Sequence, residues 1–218
     1  MLIHRIIKPW NISFKAFLLL FCFGLTFGNA QNTLIKEIEA NAIETIIIKG
    51  NQIFNVSVVS TETDYITILS ILDGEYQNNY QIATKLDQNE LILSLEYMSF
   101  EDIPDDKRNA HKVIAAELKL QIPNNLNLNI FSDIGSVIAK GSYNTLSIEL
   151  VQGYCTADAL SKSATINTIE GDINVITDDA VIRTASKNGK VSTESLNSSE
   201  YQWNLTSING DITVIKKE

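Results

Sequence analysis

The stretch TIEGDINV, Thr168 to Val175, returns as SINGDITV, Ser207 to Val214, and each copy sets an aspartate, Asp172 or Asp211, directly after a glycine. Paired carboxylates are the tools of glycoside hydrolysis, where one protonates the leaving oxygen and the other activates water or attacks. If the intervening segment SKNGKVST stacks between the two copies, the aspartates stand two strand spacings, about 9.6 Å, apart. That lies near the upper limit for an inverting pair. Lys190 then projects between them and makes the column a surface ladder of alternating charge.

Asp178 and Asp179 form a second carboxylate pair, and with Asp158 and Glu170 they raise the question of calcium. Calcium sites draw six to eight oxygens from tightly patterned loops. Neither an EF-hand loop nor the G-G-x-G-x-D nonapeptide of calcium-binding β-helices is present. Cys155 and His111 are the sole Cys and His after residue 30, too few for a zinc cluster or a disulfide. Cys155 stands in an apolar column, as a small core hydrophobe does, and His111 lies in the polar run FEDIPDDKRNAHK, which reads as an exposed loop. Arg183, with outward parity in its strand, reads as solubilising. No catalytic group, cofactor or metal is expected from these residues.

The first thirty residues differ from the rest. Arg5, Lys8 and Lys15 precede the apolar run AFLLLFCFGLTF, and Gly28-Asn29-Ala30 follow. Basic, apolar and small residues in that order predict a secretory signal peptide cleaved after Ala30. The apolar run is shorter than the roughly 20 residues of a membrane span, so no span is expected in the mature chain. Cleavage leaves 14 Lys+Arg against 26 Asp+Glu, a net charge of −12. Such a surface repels phosphate backbones and anionic lipid, which argues against nucleic acid as a partner.

The elements that must position these side chains follow from a repeat. Gly135, Gly153, Gly171, Gly189 and Gly210 are 18, 18, 18 and 21 residues apart. Two and four positions after each glycine, and seven and five before it, the residues are mostly small, β-branched or apolar. Val137, Cys155, Ile173, Val191 and Ile212 form one such column, and Leu128, Leu146, Ala164, Ile182 and Trp203 another. Each repeat therefore carries two short strands of period two, meeting at a glycine that admits a tight turn or positive φ. A parallel β-solenoid of about five coils over residues 124–218 fits this pattern.

The three residues inserted before Gly210 fall in LNSSEY, Leu196 to Tyr201, where a loop is expected to bulge. Trp203 is expected to plug the final coil, and Lys216 and Lys217 to blunt the terminal edge. Tyr143 and Tyr201 are expected beside loops, and Tyr154 outward. Residues 31–123 lack the period but alternate over Ala42–Lys49, Ile53–Ser60, Tyr65–Leu72, Tyr80–Lys85, Glu90–Glu96 and Val113–Ile122. They predict an N-terminal antiparallel β layer that caps the first coil, separate from the solenoid or continuous with it.

KLQIPNNLNLNIFSDIGSVIAKG, Lys119 to Gly141, with the glycine-led segments ending in SINGDITV, resembles the adhesin-like β-solenoid families of exported bacterial proteins, among them autotransporter adhesin head-like domains common in Bacteroidota. The resemblance spans roughly Ile35 to the C-terminus and rests on residues that determine fold. It implies an exported protein in the periplasm, on the cell surface or outside the cell. A non-catalytic scaffold or binding module for an envelope protein or glycan is the expectation. The alternative is a polysaccharide-acting β-helix enzyme using Asp172, Asp211 or the Asp178 and Asp179 pair.

Overall fold

The computed structural model describes residues 32–74, 77–98 and 115–217; the leader, His111 and the first residues of the strand expected from Val113 lie outside the described residues. Alternation of apolar and polar side chains sets the elements. The first half gives β1 (Asn32–Glu39), β2 (Thr45–Lys49), β3 (Ile53–Thr61), β4 (Tyr65–Asp73), β5 (Tyr80–Asp87), β6 (Glu90–Tyr97) and β7 (Ala115–Pro123). The glycine-repeat half gives β8 (Asn127–Ile134), β9 (Ser136–Gln152), β10 (Cys155–Glu170), β11 (Ile173–Thr177), β12 (Asp179–Ser186), β13 (Val191–Thr193), β14 (Asn197–Asn209) and β15 (Ile212–Lys216). A single 3-10 turn at Gln77–Asn79 is the one helical element among the described residues, so the protein is all-β.

The strands join one mixed sheet that curls into two tracks. One track runs β1-β4-β7-β3-β9-β10-β11-β15-β13, and the other β5-β6-β2-β8-β9-β10-β14-β12. Where the repeat predicts two short strands, β9 and β10 are single strands of 17 and 16 residues that turn a corner and serve both tracks. At the β9 corner Gly141 takes φ 107°. Tyr143 beside it is buried, not at a loop surface. Its Oη lies 3.1 Å from Val58 O and 2.9 Å from Lys140 O, and burial pushes its pKa up.

The repeats pair in parallel with a constant offset. Val137 partners Cys155 and Leu146 partners Ala164, and Cys155 partners Ile173 in turn. Beyond the third segment the stack departs from chain order. β11 pairs with β15, and β15 with β13; likewise β10 pairs with β14, and β14 with β12. The fifth segment thus lies between the third and the fourth.

The inward columns explain this order. The fifth segment offers Trp203, Leu205, Ile212 and Val214, all within 1% of full burial. The fourth offers Ile182, Thr184, Val191 and Thr193, half of them hydroxylic. The more polar segment takes the open end, where Val191 is 45% exposed, and the apolar one is covered on both sides. Trp203 accordingly packs between Ala164 and Ile182 rather than plugging the last layer, and its Nε1 donates to Ser161 O at 3.0 Å.

Two further expectations change with the order. Lys216 and Lys217 do not blunt the terminal edge, because β15 is an inner strand; Lys217 Nζ instead pairs with Asp158 Oδ1 at 2.8 Å. Arg183, exposed on β12, and Lys187 and Lys190 occupy the outermost layer. The inserted residues do bulge, since Asn197 partners Asp179 while Gln202 partners Val181, leaving residues 198–201 opposite Ala180 alone.

The first half is only partly the expected antiparallel layer. β1 with β4, β4 with β7, and β5 with β6 are antiparallel. β2 and β3, however, continue the parallel stack against β8 and β9. Their side chains carry the same inward alternation around Gly50, with Ile46, Ile48, Ile53 and Val56 buried, so the same geometry forms without the 18-residue period. β1 was missed because all of its residues but Ile38 are exposed, which erases the alternation.

The stacking order is open to a direct check. Parallel neighbours lie about 4.8 Å apart, inside the Cα range of about 4.4 to 6.8 Å for a disulfide. Glu170 partners Asn209, so Glu170→Cys with Asn209→Cys is expected to cross-link under mild oxidation, read by gel mobility. Glu170→Cys with Asn188→Cys spans two layers, about 9.6 Å, and is expected not to; the reverse pattern would restore chain order.

Candidate functional site

The glycines form one ladder along the corner. A Cβ built on Gly153, Gly171, Gly210 or Gly189 falls closer than 3.0 Å to the carbonyl oxygen of Gly135, Gly153, Gly171 or Gly210 respectively, and one on Gly135 meets Ile53 O. Gly153 and Gly171 also take φ 136° and 153°. Close backbone approach is therefore what the glycine supplies. Three residues earlier, a hydroxyl column satisfies the corner's polar groups: Ser132 Oγ donates to Gly50 O at 3.0 Å and Thr168 Oγ1 to Gly171 O at 2.8 Å. Ser186 Oγ donates to Gly210 O at 2.7 Å and accepts from Gly189 N at 2.9 Å.

The aspartates after the glycines belong to this corner. Because the fifth segment stacks directly on the third, Asp172 and Asp211 are neighbours, with Lys190 beyond them and not between. Asp172 Oδ1 accepts Asp211 N at 2.8 Å, and Asp211 Oδ1 accepts Lys190 N at 2.7 Å. Each carboxylate thus ties the turn of the next layer. The water-filled gap that an inverting pair requires is not formed.

The remaining candidates are dispersed. Asp178 Oδ1 accepts Asn197 Nδ2 at 2.9 Å, and Asp158 is held by Lys217. Asp179 Oδ1 and Thr177 Oγ1 are buried without a hydrogen-bond partner among the described residues. Among the described residues no group of three or more His, Cys, Asp or Glu is placed to hold a metal ion. Cys155 is fully buried, and desolvation pushes its thiol up to about 12, which keeps it protonated and unreactive at neutral pH.

A different feature stands out on the second track. Two residues before each glycine, an outward position, come Asp133, Val151, Ile169, Lys187 and Ile208. The pairing brings Val151, Ile169 and Ile208 onto three successive strands, β9, β10 and β14. They are 49%, 44% and 40% exposed. With Phe131, also 40% exposed, they floor a groove of about 410 Å³ whose rim includes Asp133, Glu149 and Asn167. A ladder of β-branched side chains kept in water is the largest exception to inward-apolar alternation in the repeat, and contiguous exposed apolar surface marks interaction sites. The signal lies in this one column of the sequence, where Asp133 and Lys187 interrupt the apolar run.

No protein-family model matches the chain, and no curated protein matches it. Solved structures do resemble it. A candidate cell adhesion protein from Clostridium sporogenes aligns over 86% of this chain and 100% of its own, with 13% identity and a TM-score of 0.49. A candidate adhesin from Bacteroides fragilis aligns over 86% and 99%, with 10% identity and a TM-score of 0.37. A candidate lipid-binding protein from Parabacteroides distasonis aligns over 84% and 97%, with 11% identity and a TM-score of 0.30. Among the described residues no helix is long and apolar enough to cross a membrane.

Proposed function

We propose that the chain is a non-catalytic, exported envelope protein in which a parallel β-solenoid, built from the five glycine-led segments and extended by β2 and β3, presents a rigid binding surface. The observation that carries this reading is the exposed Val151, Ile169 and Ile208 ladder on three strands fixed in register. A solenoid keeps such a ladder in place without ordering cost at the moment of binding. The leader composition and the acidic balance support export and a soluble exterior. The binding of Asp172 and Asp211 to backbone amides supports a structural role for both over a role in bond cleavage.

Two measurements test the reading. The protein recovered from the envelope or medium of an expressing Gram-negative host is expected to begin at Gln31 by mass spectrometry. Incubation with a panel of acidic and neutral polysaccharides is expected to release no reducing ends. Glycan turnover lost on Asp172→Asn would replace the binding reading with the hydrolase or lyase one.

A further inference from the structure

Resting on the binding reading, we propose that the groove over β8, β9, β10 and β14 takes an extended peptide segment of a partner protein, one that sets two aliphatic side chains and a Lys or Arg on the same face, each two residues apart. The floor sets the aliphatic part. Val151, Ile169 and Ile208 recur at about 4.8 Å, so the stripe is about 10 Å long. In an extended peptide, side chains on one face recur about every 6.6 to 7 Å, and two of them cover the stripe.

The rim sets the charge. Asp133 and Glu149 line the groove, and none of its lining residues is Lys, Arg or His. Glu149 is exposed and has no ion-pair partner among the described residues. Asp133 differs, since its Oδ1 already accepts Gln52 N at 3.2 Å and Ile134 N at 2.9 Å. Glu149 is thus the group left to meet a cation, at the β9 end of the aliphatic stripe. Opposite charge placed so fixes orientation and speeds encounter. The same carboxylates disfavour an anionic lipid headgroup or an acidic glycan. The single aromatic ring, Phe131, offers a sugar little to stack on.

Fluorescence anisotropy with labelled hexapeptides and the purified full chain tests this. The peptide Lys-Ser-Val-Ser-Val-Ser (Lys-Val) is expected to bind, with affinity falling as salt rises, while Glu-Ser-Val-Ser-Val-Ser (Glu-Val) and Lys-Ser-Ser-Ser-Ser-Ser (Lys-Ser) bind at least tenfold more weakly. Ile169→Asp is expected to weaken the Lys-Val peptide at least tenfold, and Glu149→Lys several-fold with a flatter salt dependence. Both side chains face water, so urea midpoints should stay near that of the parent. If Ile169→Asp unfolds the chain, the Val151→Thr, Ile208→Thr double variant serves in its place. Equal binding of the Glu-Val peptide, or indifference to these substitutions, overturns the peptide assignment. Binding of neutral glycans or anionic vesicles that Ile169→Asp abolishes overturns the peptide but keeps the groove as the binding surface. Glycan turnover alone overturns the broader reading.

Discussion

Gly171→Ala is expected to cost more than about 4 kcal/mol, a large share of the roughly 5 to 15 kcal/mol that hold a domain folded. The added Cβ falls closer than 3.0 Å to Gly153 O, with Gly153 C and Tyr154 N also within 4 Å. All three are backbone atoms, so no rotamer change relieves the overlap; the layers must separate. The positive φ of 153° at Gly171 adds strain of the same sign. Separation breaks the Gly153 N to Glu170 O bond at 2.9 Å and the neighbouring Cys155 N to Asp172 O bond at 2.9 Å. Asp172→Ala, one residue on, removes a single exposed side-chain bond and is expected to cost about 1 kcal/mol. Urea denaturation of the two variants checks the contrast. Similar midpoints would mean that the ladder is not where the stack is held.

Trp203→Ala is expected to cost about 3 to 5 kcal/mol, as large-to-small changes at fully packed aromatic sites do. Trp203 is wholly buried and its Nε1 bonds Ser161 O. Truncation leaves both a cavity between two layers and an unpaired carbonyl. Ile182→Ala, in the same column but in the half-exposed outer layer, is expected to cost about 1 kcal/mol. A stack in chain order would reverse their ranking, since Ile182 would then be covered on both sides and Trp203 on one. The comparison by thermal or urea unfolding therefore reads the topology as well as the packing.

Much of the architecture was legible because it follows from local chemistry. Alternation marked β2 to β7 near their observed ends, and the glycine column marked the corner where backbones approach. What escaped is non-local. No period relates Ile46 and Ile48 to Leu128 and Ile130, yet they pair in parallel, because a layer requires inward alternation and a corner but no fixed chain spacing. The order of the last two layers was also missed. It was written in the contrast between Trp203 with Leu205 and Thr184 with Thr193, a comparison of how much water each segment tolerates. The groove was hidden for a related physical reason. Its residues break the alternation, and a break is informative only once the register that defines outward is known.

The exchanged positions of the last two segments have a kinetic side. Among the described residues β12 and β13 have no strand partner other than β14 and β15, and both of those partners lie later in the chain. A chain that emerges from its N-terminus can add layers one by one through the third segment, but the fourth has nothing to seat on until the fifth has been made. Residues 179–194 are therefore expected to dock only after residues 197–216 have joined the third layer. Closure of the stack is thus tied to residues 197–216, and an earlier piece of the chain lies over a later one.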